Sequence, residues 1–199
     1  MPRTKSYDRN TVIEKAIDLF QRHGFAVASS QMLVETLGIS RFSLYAEFES
    51  KQKLFEIALE RYNQTTVERN FSPLETPEAG LSEIRNLFRF FAQAIDGHAA
   101  GLGCLLCNTA VEFGPNDPSG EEFIKKYFAR ITGAFYNALR NAERNGELKR
   151  EMSLKEEADF LTTSILGLFV MIRASAPAQI VKSAVTAGIR HVDHLALSS

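Results

Sequence analysis

The sequence predicts an all-α protein built as a small N-terminal three-helix domain followed by a larger helical one, about nine helices in total. Three observations carry this expectation. Apolar residues recur at the 3.6-residue spacing of an amphipathic helix along almost the whole chain of 199 residues. Period-two alternation between tight Asn-Gly or Asp-Gly turns, the mark of paired strands, is nowhere convincing. With 45% hydrophobic residues and 15 Phe, the chain holds enough apolar surface for a sizeable core. Two cysteines do not make a disulfide framework. No run of 18 apolar residues occurs, and Met1-Pro2-Arg3-Thr4-Lys5 lacks the apolar stretch of a secretory signal, so a cytoplasmic protein without a membrane partner is expected.

The first helix is expected from Arg9 to His23, burying Ile13, Ala16, Ile17 and Phe20, with Gly24 just past its end. Ser29 or Ser30 caps a short helix that stops at Leu37-Gly38, Ser40 caps a second short one over Arg41 to Phe48, and Ser50 caps a longer one facing inward through Leu54, Phe55, Ala58 and Tyr62. Between Asn70 and Pro77 the periodicity breaks, and Thr76-Pro77 reads as a helix N-cap followed by Pro at the first helical position. A helix burying Ile84, Leu87, Phe88, Phe91 and Ile95 should end near Gly97, and a short one should cover Cys104 to Phe113. Ser119-Gly120-Glu121-Glu122 and Ser153-Leu154-Lys155-Glu156 read as capping boxes for two long helices, the first closed by Asn145-Gly146. Pro177 starts the last helix. The expected division is 1–50 as a helix-turn-helix domain, 51–70 as a connecting helix and 71–199 as a ligand-binding and dimerisation domain.

Two short helices joined by Gly38-Ile39-Ser40 behind a longer helix have the shape of a helix-turn-helix. That shape also occurs as an ordinary bundle corner. Gly24-Phe25, Ser29-Ser30, Leu33-Val34, Gly38-Ile39-Ser40, Ser43-Leu44-Tyr45, Phe48, Ser50-Lys51 and Leu54-Phe55 together resemble the N-terminal domain of the TetR/AcrR family of one-component bacterial regulators. The resemblance covers about residues 9 to 55. Beyond it only the architecture is similar, a variable helical domain that in this family binds a small ligand and dimerises through its last two helices. The resemblance implies base-facing positions for Gln31, Arg41 and Phe42, and phosphate-facing positions for Ser30, Ser43, Tyr45 and Lys51. Their chemistry agrees: Arg donates bidentately to guanine, Gln pairs with adenine, and an aromatic edge packs on a thymine methyl. Ser29 reads as a cap. Phe42 also fits a ring folded back on the domain, and Tyr45 a core residue with its hydroxyl at the surface.

The chain departs from the family pattern at Leu33-Val34, at Phe42 and at Glu47, an acid that repels phosphate unless Arg41 or Lys51 pairs with it. Residues 1–53 hold eight Lys or Arg against six acids, a net of +2 in a chain whose net charge is −1, so a nucleic-acid surface must be local. Arg3 and Lys5 read either as an arm toward DNA or as a solvated tail.

In the second domain, Phe88, Phe91, Phe128 and Phe169 with Cys104, Cys107 and Arg173 are the candidate lining of a mostly apolar effector cavity, although a stripe of aromatics at helical spacing equally fills a core. Leu161, Ile165, Leu168, Phe169, Ile172, Val181, Val185, Ile189 and Val192 outnumber what one packing face of each of the last two helices needs, which points to a homodimer interface. Cys104-Leu105-Leu106-Cys107 admits three readings: small apolar packing, a redox or electrophile sensor, or a thiol oxidoreductase. No metal site is expected, because His23, His98, His191 and His194 complete no four-ligand spacing with the thiols. No catalytic constellation and no cofactor motif is recognisable, so the protein is not expected to be an enzyme. The function expected is a ligand-responsive regulator, repressor by family habit, that binds a palindromic double-stranded operator as a homodimer and is released by a small apolar effector. A helical interaction protein without DNA binding is the other class left open.

Overall fold

The computed structural model describes residues 7–93, 101–113, 118–149 and 152–197, with side chains of 118–121 left aside. All of its regular structure is helical. The chain divides into two compact units, residues 1–66 and 67–199.

In the first unit, α1 (Arg9–Val27) starts at Asp8, whose carboxylate accepts the Thr11 N–H at 2.8 Å. Gly24, at φ 78° and ψ 172°, breaks the helix, and a last turn carries it to Val27. Helices α2 (Ser30–Leu37) and α3 (Arg41–Phe48) are each opened by a serine: Ser29 Oγ accepts from Met32 N–H and Ser40 Oγ from Ser43 N–H. Between them Gly38 takes the left-handed conformation at φ 70°, which a side chain would strain, and its N–H closes on Val34 O. Ser50 opens α4 (Lys51–Tyr62) in the same way. The helix expected as a connector packs on α1 and so belongs to this unit. Phe20 and Phe55 meet edge to face at 4.9 Å, and Ile13, Leu33, Leu44, Phe48 and Leu54 close the core around them. Such fully buried side chains contribute roughly 1.5–3 kcal/mol each.

A π-helical stretch, Asn63–Val67, leads into α5 (Glu68–Glu75). Here the break in periodicity expected from Asn70 to Pro77 is spanned to Glu75 by a helix containing Pro73. Phe71 and Leu74 are each 1% exposed and anchor it, while Asn137 Nδ2 donates to Leu74 O and Thr76 O and Asn141 Nδ2 to Thr76 O. Thr76 therefore ends one helix instead of starting the next. Helix α6 (Leu81–Gln93) opens with the Gly80 N–H bound by the Glu83 carboxylate at 2.7 Å. The expected end of this helix, with Ile95, Gly97 and His98, lies outside the described residues.

Helices α7 (Leu105–Phe113), α8 (Pro118–Arg144), α9 (Leu154–Arg173) and α10 (Ala178–Leu195) complete the second unit. Ser153 caps α9 as expected, whereas α8 begins at Pro118, one residue before the expected box. The α8–α9 pair forms the spine, with α5 and α7 on α8 and α6 against α10. Gly188 lets α10 approach α6 closely, since a Cβ there would stand 2.5 Å from the Phe88 ring. Phe91 meets Phe169 edge to face at 4.7 Å in the core between them.

Candidate nucleic-acid interface and effector cavity

Helix α3 buries Leu44 and Phe48 and turns Arg41, Phe42 and Ala46 outward. Phe42 is 84% exposed, so the folded-back ring is excluded and an apolar edge stands free at the start of the helix. Tyr45 joins α3 to α2: its hydroxyl lies 2.6 Å from Ser30 Oγ, and the Arg41 guanidinium sits 5.9 Å from the centre of its ring. Only one of the two hydroxyls can donate in that pair, which leaves the other O–H directed elsewhere. Ser43 Oγ pairs with Ser40 Oγ at 2.9 Å, and Gln31 Nε2 donates to Glu35 at 2.9 Å. Of the sequence-predicted residues, Ser30, Arg41 and Tyr45 are thus joined across α2 and α3, while Gln31 pairs within α2 and Phe42 and Ser43 stand at the start of α3.

Lys51 is placed differently. Its ammonium donates to Phe25 O at 2.8 Å and Ala28 O at 2.9 Å and lies 4.3 Å from the Phe25 ring centre. Two of three donors thereby close the α1–α2 connection, a holding role that sequence reasoning assigned to phosphate. Glu47 also finds a partner other than the two expected. Arg9 Nε donates to one carboxylate oxygen and Tyr7 OH to the other, both at 3.1 Å. Asp8, at the N-cap of α1, is held below the usual carboxylate range first by the Thr11 hydroxyl and then by the Thr11 N–H.

In the second unit the expected ligand residues do not converge. Cys107 and Phe128 line a cavity of about 610 Å³ between α7, α8 and α9, together with Val111, Ile124, Lys125, Leu166, Gly167 and Val170. Phe88 lines a neighbouring cleft of about 610 Å³ between α9 and α10, which shares Thr163, Gly167 and Val170 with the first. Phe91 and Phe169 fill the core. Cys104 Sγ lies 3.1 Å from the Tyr127 hydroxyl, and Arg173 Nη1 donates to Gly101 O at 3.3 Å. Aromatics at helical spacing marked the inward faces, and the cavity uses smaller residues between them. Sequence reasoning missed Gly167 and Val170, although α9 is apolar on more than its packing face.

Both thiols are buried and neither is in a disulfide, and burial, followed by the neighbouring Cys104, pushes the Cys107 thiol up to about 12. A thiol in that state is almost wholly protonated at neutral pH and a poor nucleophile. At Cys107 this burial works against activation of the Cys-x-x-C pair.

The expected dimer residues need the same correction. Leu161, Ile165, Leu168, Phe169, Ile172, Val181, Val185 and Val192 are all buried within their own unit, and Ile189 alone is partly exposed. A stripe at i, i+4 and i+7 finds the core-facing side of each helix. The apolar residues left outside are Phe160, Val170 and Ile180, at 50%, 43% and 50% exposure, around the small residues Gly167, Ala184 and Ala187.

A capped helix, a glycine turn and an outward-facing α3 define a helix-turn-helix DNA-binding protein. Residues 12–58 match the domain described as bacterial regulatory proteins, tetR family, and residues 80–187 match the tetracyclin repressor-like C-terminal domain. The chain belongs to the TetR family of transcriptional regulators. It is 31% identical over 181 residues to the uncharacterized HTH-type transcriptional regulator YezE of Bacillus subtilis, covering 88% of this chain and 91% of that one. The HTH-type transcriptional repressor ComR of Escherichia coli is 27% identical, over 87% and 83% of the two chains. Among solved structures, the TetR family regulator CifR, as a cysteine mutant complexed with a 26-base-pair operator, superposes with a TM-score of 0.83 at 25% identity, over 94% and 98% of the chains. The protein is a DNA-binding transcriptional regulator and not an enzyme, and no described helix is long and apolar enough to cross a membrane.

Proposed function

We propose that this regulator is a cytoplasmic repressor that binds a palindromic operator as a homodimer and is released by a small, mostly apolar effector. The exposed surface of α2 and α3, with Arg41 and Phe42 outward and the Ser30–Tyr45 pair beside them, is the observation that carries this reading. Arg41 and Phe42 read bases, with Gln31 beside them, and Ser30, Ser43 and Tyr45 hold phosphates. Repression is supported by the name of ComR and operator binding by that of CifR. Dimerisation uses the outer faces of α9 and α10, through Phe160, Gly167, Ile180, Ala184 and Ala187, and sets the two reading helices one or more helical turns of DNA apart.

The effector site is the cavity floored by Cys107 and Phe128. Its carbon-rich wall suits an apolar body, and Lys125 is the one cation of its lining among the described residues. Sedimentation of the protein on a duplex enriched from a random pool should give two chains per duplex. Titration of small apolar compounds, read by polarisation of the labelled duplex, should find members that release it, and Phe128→Ala should shift that release while sparing affinity without effector. A single chain per duplex, or release unchanged in Phe128→Ala, would set aside the corresponding part of the reading.

A further inference from the structure

We propose that Arg9 is a further phosphate contact of the DNA interface, held in place by Glu47 on the opposite flank of α3 from Ser30 and Tyr45. Successive residues on a helix are about 100° apart, so Tyr45 and Glu47 stand to either side of the exposed Ala46, with the buried Leu44 and Phe48 behind. The Tyr45 flank carries the cluster shared with α2. On the other flank Glu47 is only 9% exposed at its side chain and receives Tyr7 OH and Arg9 Nε on separate oxygens. The same guanidinium lies 5.6 Å from the centre of the Phe48 ring, so its plane is fixed from two directions.

A helix about 10–12 Å across fills a major groove about 12 Å wide, and its two flanks then face the phosphates of the two opposite strands. The Ser30–Tyr45 side supplies hydroxyls to one wall. The other wall meets the acid Glu47, and Arg9 is a cation placed beside it on that flank. Arg9 uses Nε for Glu47, and among the described residues no acid or acceptor engages its two Nη groups, while the side chain is 48% exposed. An arginine can bridge a carboxylate through Nε and a phosphate through the Nη pair, because its five N–H donors are fixed in one plane. Asp8, the N-cap of α1 beside Arg9 in sequence, turns Oδ2 onto Thr11 N and Oγ1.

The inference rests on α3 as the groove-reading helix, and its test separates the two claims. A duplex enriched by the full-length protein and a scrambled duplex of equal composition are the probes, with affinity measured against salt. Arg9→Ala should weaken both alike and make the slope of log affinity on log salt shallower by about 0.9 for each copy of Arg9 on the duplex. Thermal melting checks that the variant is folded. If Arg9 only neutralised Glu47, the Glu47→Gln/Arg9→Ala double variant would recover the original slope, and that recovery overturns the proposal. Ethylation interference on the unmodified protein needs no variant and should mark phosphates on both groove walls. Interference confined to one wall overturns Arg9 as a contact, whereas an Arg41→Ala/Phe42→Ala variant that keeps the parent's preference for the enriched duplex overturns α3 as the reading helix.

Discussion

The Tyr45 hydroxyl and Ser30 Oγ, 2.6 Å apart and part-buried, tie the first residue of α2 to the middle of α3. The pair fixes the angle at which α3 is presented and keeps one O–H available for an outside acceptor. Tyr45→Phe removes one of the two hydroxyls at almost constant volume. Affinity should fall by about 0.5–1.5 kcal/mol equally on enriched and scrambled duplexes, with little change in melting temperature. Polarisation with both duplexes checks it.

Arg41 and Lys51 should separate cleanly. Arg41→Ala should cost about 1–3 kcal/mol on the best duplex and relax selection at one base pair per half-site. Lys51→Ala removes two bonds to Phe25 O and Ala28 O and should lower the melting temperature of the protein itself. Melting curves of the two variants beside their binding curves test the assignment. A Lys51 variant of unaltered stability would contradict the holding role.

Local signals were legible where one residue type has one physical job. Ser29, Ser40, Ser50 and Ser153 are caps, and Gly24, Gly38 and Gly146 sit where positive φ ends a helix. What escaped was tertiary. The periodicity breaks between Asn70 and Pro77, but Phe71, Leu74 and the distant Asn137 and Asn141 hold a helix through Glu75. Sequence reasoning pairs Glu47 with Arg41 or Lys51, and the chain instead brings it Arg9 and Tyr7 from about forty residues earlier. Periodicity located apolar helices and not which of two apolar faces stays outside, so the buried stripe of α9 and α10 passed for the interface.

The outer face of α9 and α10 therefore makes a sharp distinction between neighbouring residues. Phe160→Asp places a charge on an exposed position and should give a folded monomer. Val192→Asp places one in the core, where an unpaired charge is strongly destabilising, and should lower the melting temperature or prevent folding. Light scattering coupled to gel filtration, with circular dichroism, distinguishes them.

Cys107 sets an alkaline limit. Its thiol is raised from an ordinary 9.0 to about 12, so the folded state favours the neutral form. That preference is fully present below about pH 9 and is lost as pH rises from there toward about 12. Cys107→Ala should therefore melt with a weaker alkaline dependence than the parent. Thiol labelling of the native protein should stay slow at pH 7 to 8, with and without duplex, and rapid labelling would restore the sensor reading.

Enrichment of duplexes from a random pool, by the parent protein and by an Arg41→Ala/Phe42→Ala variant, tests the reading of DNA by α3 most directly. The parent should enrich two inverted half-sites whose centres lie about one helical turn, or a multiple of it, apart. The variant should lose selection at the base pairs beneath the start of α3 and keep the symmetry. An unsymmetrical motif, or one that both proteins enrich identically, would contradict the account.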